Sequence, residues 1–359
     1  MPQATATLTA PARPPAPRRE SGGGSEFAPL LRTIKQQGLL EGRPGWYARG
    51  IAVNLLGLAA VVAGLFLIGP SWWALPLAVP FALLSTRAAF VAHDAGHAQI
   101  STDRRRNRLI QRLHANVLLG MSREWWNDKH NRHHANPNHV DKDPDVAPDI
   151  LVFAQDQAEG RTGWRGWLTR HQAWLFFPLT TLEGIALKVY GFQALFAADG
   201  PYRNRRDRLV EGGLLFAHVI GYVALLLAAL TPVQALVFAL VHQMLLGLHL
   251  GLAFAPNHKG MEMPDADGGE SWGHLRRQVL TSRNIRGGVV TDWFLGGLNY
   301  QIEHHLFPSM PRPHLRLARP AVRAHCRDLG ITYTETGFVD SYRQALGHLH
   351  DVGEPLRSE

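Results

Sequence analysis

Cysteine is nearly missing from this chain, which has one, Cys326, among 359 residues. A single thiol excludes an internal disulfide, a Cys-x-x-Cys redox pair and an iron–sulfur cluster held by this chain alone. We therefore interpret Cys326 as a free thiol. Any redox chemistry of the protein must use other groups.

Acidic residues are also in short supply, with 29 Asp and Glu against 37 Lys and Arg and a formal net charge of +8. A positive balance is typical of proteins that meet nucleic acid, an anionic membrane surface or an acidic partner. The sequence contains no helix-turn-helix, zinc-finger or RNA-reading motif, so we predict no nucleic-acid partner. A membrane surface and an acidic partner remain.

Large apolar residues are almost absent from residues 1–24, which are rich in Pro, Ala, Gly, Thr and Arg. Such a segment cannot offset the entropy of ordering, and we predict a disordered tail. It lacks the pattern of a secretory signal. Next, Ser25 can cap a short helix with Leu30, Leu31 and Ile34 on one face. That helix lies either on the bilayer surface or against the core.

Four long apolar runs follow, at about 51–69, 71–90, 209–230 and 233–255. Crossing a bilayer takes about 20 apolar residues in a helix, so we predict four transmembrane helices in two tightly connected pairs. The fold class is an all-α integral membrane protein with a cytoplasmic helical cap. The predicted organisation is the tail 1–24, a membrane domain 25–335 and a C-terminal tail 336–359.

Basic residues set the orientation of these spans. The two tight turns carry no Lys or Arg, whereas arginine runs follow the first pair and precede the second. By the positive-inside rule, both termini and the central stretch face the cytoplasm. We expect interfacial amphipathic helices in the central stretch, with a buried soluble subdomain as the alternative. The arginines are Arg104, Arg105, Arg106, Arg108, Arg203, Arg205, Arg206 and Arg208, and the expected interfacial anchors are Trp46, Trp72 and Trp73.

Histidines are grouped in three clusters, 93–97, 130–134 and 301–305. Residues three and four apart share one helical face, so each of the first two clusters can aim several imidazoles at one point. All three clusters fall on the predicted cytoplasmic side. They contain His93, His97, His130, His133, His134, His304 and His305.

This donor set indicates a metal site with nitrogen ligands. Imidazoles suit iron, copper, zinc or nickel, whereas calcium and magnesium prefer oxygen. Seven imidazoles exceed the roughly four ligands of one zinc ion, so two metal ions are the economical solution. The sequence has no Glu-x-x-His pair, which argues against a carboxylate di-iron bundle, and no His-Glu-x-x-His, which argues against a zinc peptidase.

The clusters and their flanks resemble the membrane fatty acid desaturase family. The match includes Trp125-Trp126-Asn127-Asp128-Lys129 before the second cluster, Asn136-Pro137-Asn138 and Asp143-Pro144-Asp145 after it, and Leu306-Phe307-Pro308 after the third. It covers roughly 27–327. The resemblance implies an O2-dependent oxidoreductase with two non-haem Fe ions, which removes two hydrogens from adjacent methylenes of a fatty acyl chain on coenzyme A or a lipid, giving a cis double bond. The apolar spans would supply a tunnel for that chain.

The resemblance also adds two candidate metal ligands. Family members carry a further histidine after the fourth span, and His258 fits that place. Gln301 opens the third cluster where many members have histidine, and it either binds one iron loosely, acts through water, or braces the cluster. Asp94, Glu303 and Asp143 are either groups that orient the imidazoles or ordinary helix-terminus and loop residues.

The remaining histidines carry weaker signals. His242 and His249 lie on one face of the fourth span and are either functional or bonded to a neighbouring helix. For His114, His139, His171 and His218 we expect structural roles.

Electrons must come from elsewhere, because the sequence has no His-Pro-Gly-Gly haem motif, cysteine cluster or Gly-x-Gly-x-x-Gly fingerprint. We predict a separate donor, such as a ferredoxin with an NAD(P)H-dependent reductase, attracted by the basic cytoplasmic face. Hydroxylase, ketolase or acetylenase chemistry on the same scaffold is the nearest alternative, and a membrane metal transporter is a remote one. Composition favours a bacterial plasma membrane.

Overall fold

The computed structural model describes residues 25–264 and 272–357, and four helical segments in it are long and apolar enough to cross a membrane. The predicted tail 1–24 lies outside the described residues. The first and third segments begin before their predicted runs and the second ends beyond its run, since helices extend past the bilayer core, whereas the fourth matches its run to within two residues. The segments are α2 (Pro44–Ile68), Trp72–Gly96, α9 (Arg205–Ala229) and Pro232–Asn257.

Two tight turns connect these segments in pairs, as predicted. Gly69 adopts φ 68°, a conformation that glycine takes without steric cost, and Pro70 follows it. In the second turn, Thr231 and Gln234 form a capping box, and Pro232 occupies the first turn of α10 (Pro232–Phe254). A 3-10 turn, Ala255–Asn257, completes that segment.

The second segment differs most from its prediction. It opens with a 3-10 turn, Trp72–Leu77, and continues as α3 (Ala78–Gly96), so it ends well past the predicted residue 90. Half of its most apolar window is buried in the protein, against 17% for α2. The longer helix places the first histidine cluster on its final turn.

The segments before, between and after the spans form a helical cap. Between the second and third spans, α4 (Arg104–Gln111) is followed by a π-helical stretch, Arg112–Leu119, and by α5 (Arg123–Ala135). A two-stranded parallel sheet pairs Asn284 with Glu335 and Arg286 with Gly337. The cap comprises α1 (Phe27–Gln36), α4 (Arg104–Gln111), α5 (Arg123–Ala135), α6 (Gly163–Arg170), α7 (Gln172–Thr180), α8 (Glu183–Phe196), α11 (His274–Leu280), β1 (Asn284–Arg286), α12 (Val289–Phe294), α13 (Gln301–Leu306), α14 (Arg312–Asp328), β2 (Glu335–Gly337) and α15 (Phe338–Val352).

The central connection contains helices, as expected, but they are not all surface helices. The pair α7 and α8 has the composition of a single span bent by 74°. A Cβ at Gly184 in α8 would lie 2.4 Å from the Gln243 carbonyl oxygen, so α8 and α10 are in backbone contact. Glycine permits that close approach.

The two terminal segments of the described chain both pack onto the body of the protein. Leu30 and Ile34 of α1 are buried against Leu306 and Leu315, so α1 lies on the core rather than on a free surface. The region 336–359, predicted as a tail, contains α15, whose buried Leu349 packs against α7.

Candidate metal centre

Five histidines from three elements converge at the end of α3. The first cluster lies on the last turn of α3, the second on α5, and the third on α13. Ser122 caps α5 by accepting a hydrogen bond from the Trp125 amide at 3.1 Å, which fixes where that helix begins. One ring nitrogen from each of the five lies within 4.8 Å of all the others. This five-histidine group is His93, His97, His130, His134 and His304.

A second group of three histidines adjoins the first. One ring nitrogen from each of His133, His258 and His305 lies within 4.8 Å of the other two. The turn that follows α10 delivers His258 to this position. The structure therefore gathers all eight predicted histidines into two adjacent groups, with the stacked rings of His134 and His305, 4.2 Å apart, between them.

In the three-histidine group, each Nδ1 atom lies within hydrogen-bond distance of an acceptor from a residue outside the group. His133 Nδ1 lies 2.8 Å from Asp143 Oδ2, His258 Nδ1 lies 2.9 Å from the Thr281 carbonyl, and His305 Nδ1 lies 2.9 Å from Gln278 Oε1. Each acceptor favours the tautomer with a proton on Nδ1 and leaves Nε2 available as a ligand atom.

The five-histidine group has fewer such supports. His93 Nδ1 lies 3.0 Å from Asp94 Oδ1. His130 Nε2 lies 2.9 Å from His97 Nε2 and 3.1 Å from His134 Nε2, so three ligand atoms face one another. Both ring nitrogens of His304 are buried without a hydrogen-bond partner.

These unpaired atoms fit bound metal ions. A buried polar atom left unpaired costs about 1–3 kcal/mol, and a metal–nitrogen bond would remove that penalty. His93 Nε2 and His305 Nε2 are also buried and unpartnered. Two groups of nitrogen donors, five and three in number, suit two transition-metal ions.

Burial prepares most of these imidazoles for metal binding. Desolvation, and then the neighbouring histidines, lowers the pKa of His97, His130, His134, His304 and His305 well below the ordinary value, and desolvation lowers that of His258 to about 3. They are therefore neutral at pH 7 and can act as ligands. Desolvation also acts on His133, but the carboxylates of Asp143 and Asp145 together outweigh it and raise the pKa of His133.

Gln301 lies next to the three-histidine group. Its side-chain Nε2 is 2.9 Å from His258 Nε2, the atom that His258 has available for a metal. An amide can be turned about its last bond, so the Gln301 oxygen can occupy the same place. Gln301 is buried beside Asn257.

Asp94 and Asp143 contact imidazoles as predicted, whereas Glu303 does not contact them in the described structure. Glu303 Oε1 accepts a hydrogen bond from Tyr333 at 2.6 Å, and its Oε2 accepts one from Asn284 at 2.7 Å. Of the two interpretations offered for Glu303, orientation of an imidazole or a structural role in its helix, the described contacts match the second.

Several supporting residues could not be found from the sequence. Gln278 and the Thr281 carbonyl lie in a segment without histidine clusters. Arg312 Nη2 lies 2.5 Å from Asp94 Oδ2, and the Tyr47 hydroxyl donates to that carboxylate at 3.1 Å. A long-range contact of a single Arg or Gln leaves no local pattern in a sequence.

The other histidines have different neighbours. His242 Nδ1 lies 2.8 Å from the Tyr222 hydroxyl, and His249 Nε2 lies 2.9 Å from the Phe294 carbonyl oxygen. Of the two interpretations offered for this pair, bonding to neighbouring elements is the one observed. His114 Nδ1 lies 2.8 Å from the Ile110 carbonyl and belongs to neither group.

A cavity of about 270 Å³ adjoins both histidine groups. It lies between α3, α5, α8 and α10, and most of its wall is apolar. Charged side chains also contribute to the wall. The apolar lining includes Ala89, Leu119, Met121, Leu187, Leu246, Leu250 and Phe254, the histidines are His93, His130, His133 and His258, and the charged residues are Lys129, Asp145, Glu183, Lys188 and Lys259.

Comparison with known proteins agrees with this arrangement. The family model described as fatty acid desaturase matches residues 70–337, which contain both histidine groups. The chain is 28% identical to the acyl-lipid (9-3)-desaturase of Physcomitrium patens over 92% of its own length and 63% of that protein. It is 28% identical to fatty acid desaturase 3 of Bos taurus, over 91% and 73% of the two chains. With the delta(8)-fatty-acid desaturase 2 of Arabidopsis thaliana the identity is 32%, over 77% and 63%.

Proposed function

This chain belongs to the fatty acid desaturase family, and from that premise we propose that it is an O2-dependent desaturase of a fatty acyl chain. The balanced reaction is –CH2–CH2– + O2 + 2e⁻ + 2H⁺ → –CH=CH– + 2H2O. The acyl chain would be carried by coenzyme A or by a membrane lipid. The observation that supports the proposal is that a mostly apolar cavity is lined by imidazoles from both histidine groups.

We propose that the histidine groups hold two iron ions, which when bound would activate O2 to attack an unactivated C–H bond. The five-histidine group would hold one ion, and His133, His258, His305 and Gln301 the other. Asp94, Asp143, Gln278 and the Thr281 carbonyl would keep the imidazoles in position.

The protein's other task is to position the substrate and exclude water. An acyl chain has no polar group near the reacting carbons, so shape must select them. Leu246, Leu250 and Phe254 of α10 line the cavity and approach His258 at its end. Burial of His93, His133 and His258 in the cavity wall would keep bulk water away from the reacting carbons.

We also propose that both termini and the metal centre face the cytoplasm, in a bacterial plasma membrane, and that a separate protein supplies the electrons. The arginine runs beside the spans support the orientation. The net charge of +8 favours an acidic donor such as a ferredoxin.

The proposal is tested by comparing cells that express the chain with cells that express its His133→Ala variant. Total fatty acids are analysed by gas chromatography with mass spectrometry, after derivatisation that locates double bonds. A new unsaturated acid found only with the intact chain is the expected result. Hydroxy or keto products would instead identify the protein as a hydroxylase or ketolase. Metal uptake by the cells without a new lipid would identify it as a metal transporter.

A further inference from the structure

A basic groove lies along α14, outside the metal centre. It has a volume of about 650 Å³. Four arginines line it at intervals of three or four residues, so they lie on one helical face. Tyr333 and Ile331, which follow α14, complete the wall. The arginines are Arg316, Arg319, Arg323 and Arg327.

The groove keeps a positive charge after its ion pairs are counted. Glu335 accepts from Arg319 at 2.6 Å and lies 3.4 Å from Arg323. Arg327 pairs with Asp328 at 3.3 Å, but both side chains are more than two-thirds exposed, and such pairs contribute little. Four arginines thus face two carboxylates, and Arg323 is 64% exposed.

The wall of this groove connects directly to the metal centre. The Tyr333 hydroxyl donates to Glu303 at 2.6 Å, and Glu303 is bonded along the chain to His304. Asn284 holds this arrangement by donating to both Glu303 and Tyr333 at 2.7 Å. Behind them, Val322 of α14 packs in one core with Ile302 and Leu306 of α13.

The proposed reaction takes two electrons from a donor for each double bond, and the inference rests on that proposed function. The donor must approach closely enough to pass electrons inward. The exposed arginines of α4 follow the second span directly and are explained by membrane orientation. The arginines of α14 lie far along the sequence from any span and have no such explanation.

We propose that the α14 groove is the docking site for a small acidic one-electron carrier protein. The arginines attract its acidic surface, and the route from Tyr333 through Glu303 to His304 carries each electron inward. Two dockings supply the two electrons of the balanced reaction, and the two protons come from water.

The test uses the full chain, loaded with iron and placed in nanodiscs, with a plant-type [2Fe–2S] ferredoxin as the probe. The double variant Arg323→Glu/Arg327→Glu is compared with Arg104→Glu/Arg105→Glu, which makes the same charge change on α4. We expect the Kd for ferredoxin to rise about tenfold or more in the α14 variant, with a weaker dependence on salt, and to change less than about twofold in the α4 variant.

Product formation separates failure of the docking site from failure of the proposed function. With dithionite as reductant, wild type and both variants should form the product at equal rates. Equal weakening of ferredoxin binding in both variants would overturn the docking site. Loss of binding to phosphatidylglycerol vesicles, with ferredoxin binding intact, would assign the groove to lipid instead. Absence of unsaturated product from wild type with either reductant would overturn the proposed function, while the binding result would stand.

The Tyr333→Phe variant tests the electron route without a change of charge. It removes the hydrogen bond to Glu303. We expect an unchanged Kd for ferredoxin, a lower ferredoxin-driven rate at saturation, and an unchanged rate with dithionite. A ferredoxin-driven rate equal to that of wild type would exclude the route through Tyr333.

Discussion

The two histidine groups are held in different ways. In the three-histidine group each Nδ1 has an acceptor supplied by another residue, namely Asp143, Gln278 or the Thr281 carbonyl. In the five-histidine group several ring nitrogens face each other or have no partner. Hydrogen bonds to other residues therefore orient the imidazoles of the three-histidine group. Metal binding by the five-histidine group depends instead on its larger number of nitrogen donors.

This difference predicts different tolerance to loss of a ligand. Four imidazoles remain after one is removed from the five-histidine group, which is as many as a tetrahedral metal site needs. Removal of one from the three-histidine group leaves two and Gln301. The supports of the smaller group should accordingly matter more than those of the larger.

The largest effect is expected from His258→Ala. We expect iron to fall from about two ions per chain to about one, with no product, whereas His97→Ala should keep more of its iron. Iron is counted by mass spectrometry of purified protein, and product by gas chromatography. Equal iron loss in the two variants would contradict the distinction between the groups. His93→Ala, His133→Ala and His304→Ala should also abolish product while still inserting in the membrane.

A smaller effect is expected from Asp143→Ala, which removes the acceptor of His133 Nδ1. Loss of such a support typically lowers metal affinity or activity by about 10–100-fold. Chelator titration of the loaded protein measures the affinity. The control is Asp141→Ala in the same loop, whose exposed side chain should be dispensable. Similar affinities for the two variants would show that Asp143 does not orient His133.

A gain is expected from Gln301→His, which places an imidazole beside His258 Nε2. Imidazole binds iron more strongly than an amide does, so the ion held by the three-histidine group should dissociate more slowly. The rate of iron loss to a chelator is the measurement. Faster loss than in wild type would mean that Gln301 only braces the group.

The smallest effect is expected from His114→Ala. Its Nδ1 lies 2.8 Å from the Ile110 carbonyl, and the residue belongs to neither group. Iron content and product yield should remain close to those of wild type. A loss of iron in this variant would extend the metal centre beyond the eight histidines.

Much of the architecture was predictable because it depends on local pattern. The length of an apolar run determines whether a helix can cross a bilayer, so all four spans were found, although the first segment begins at Pro44 rather than at about residue 51. Their exact extents were not found, since α3 continues through polar residues that pack inside the protein rather than face lipid. The helix α15, which lies in the region predicted as a tail, was not predicted. Packing of Leu349 against α7 stabilises it, and that contact joins segments far apart in the sequence.

The sequence by itself indicated a metal site, because three histidine clusters at helical spacing are typical of metal ligands. It also predicted that the clusters share one side of the membrane. Only the tertiary structure decided how the imidazoles divide, with His133 separated from His130 and His134 of the same helix. Consecutive residues of a helix, such as His133 and His134, point about 100° apart. The elements packed around the helix then select the partner of each ring. The acceptors Gln278 and Thr281 were likewise decided by folding, because contacts between distant segments leave no periodic signal.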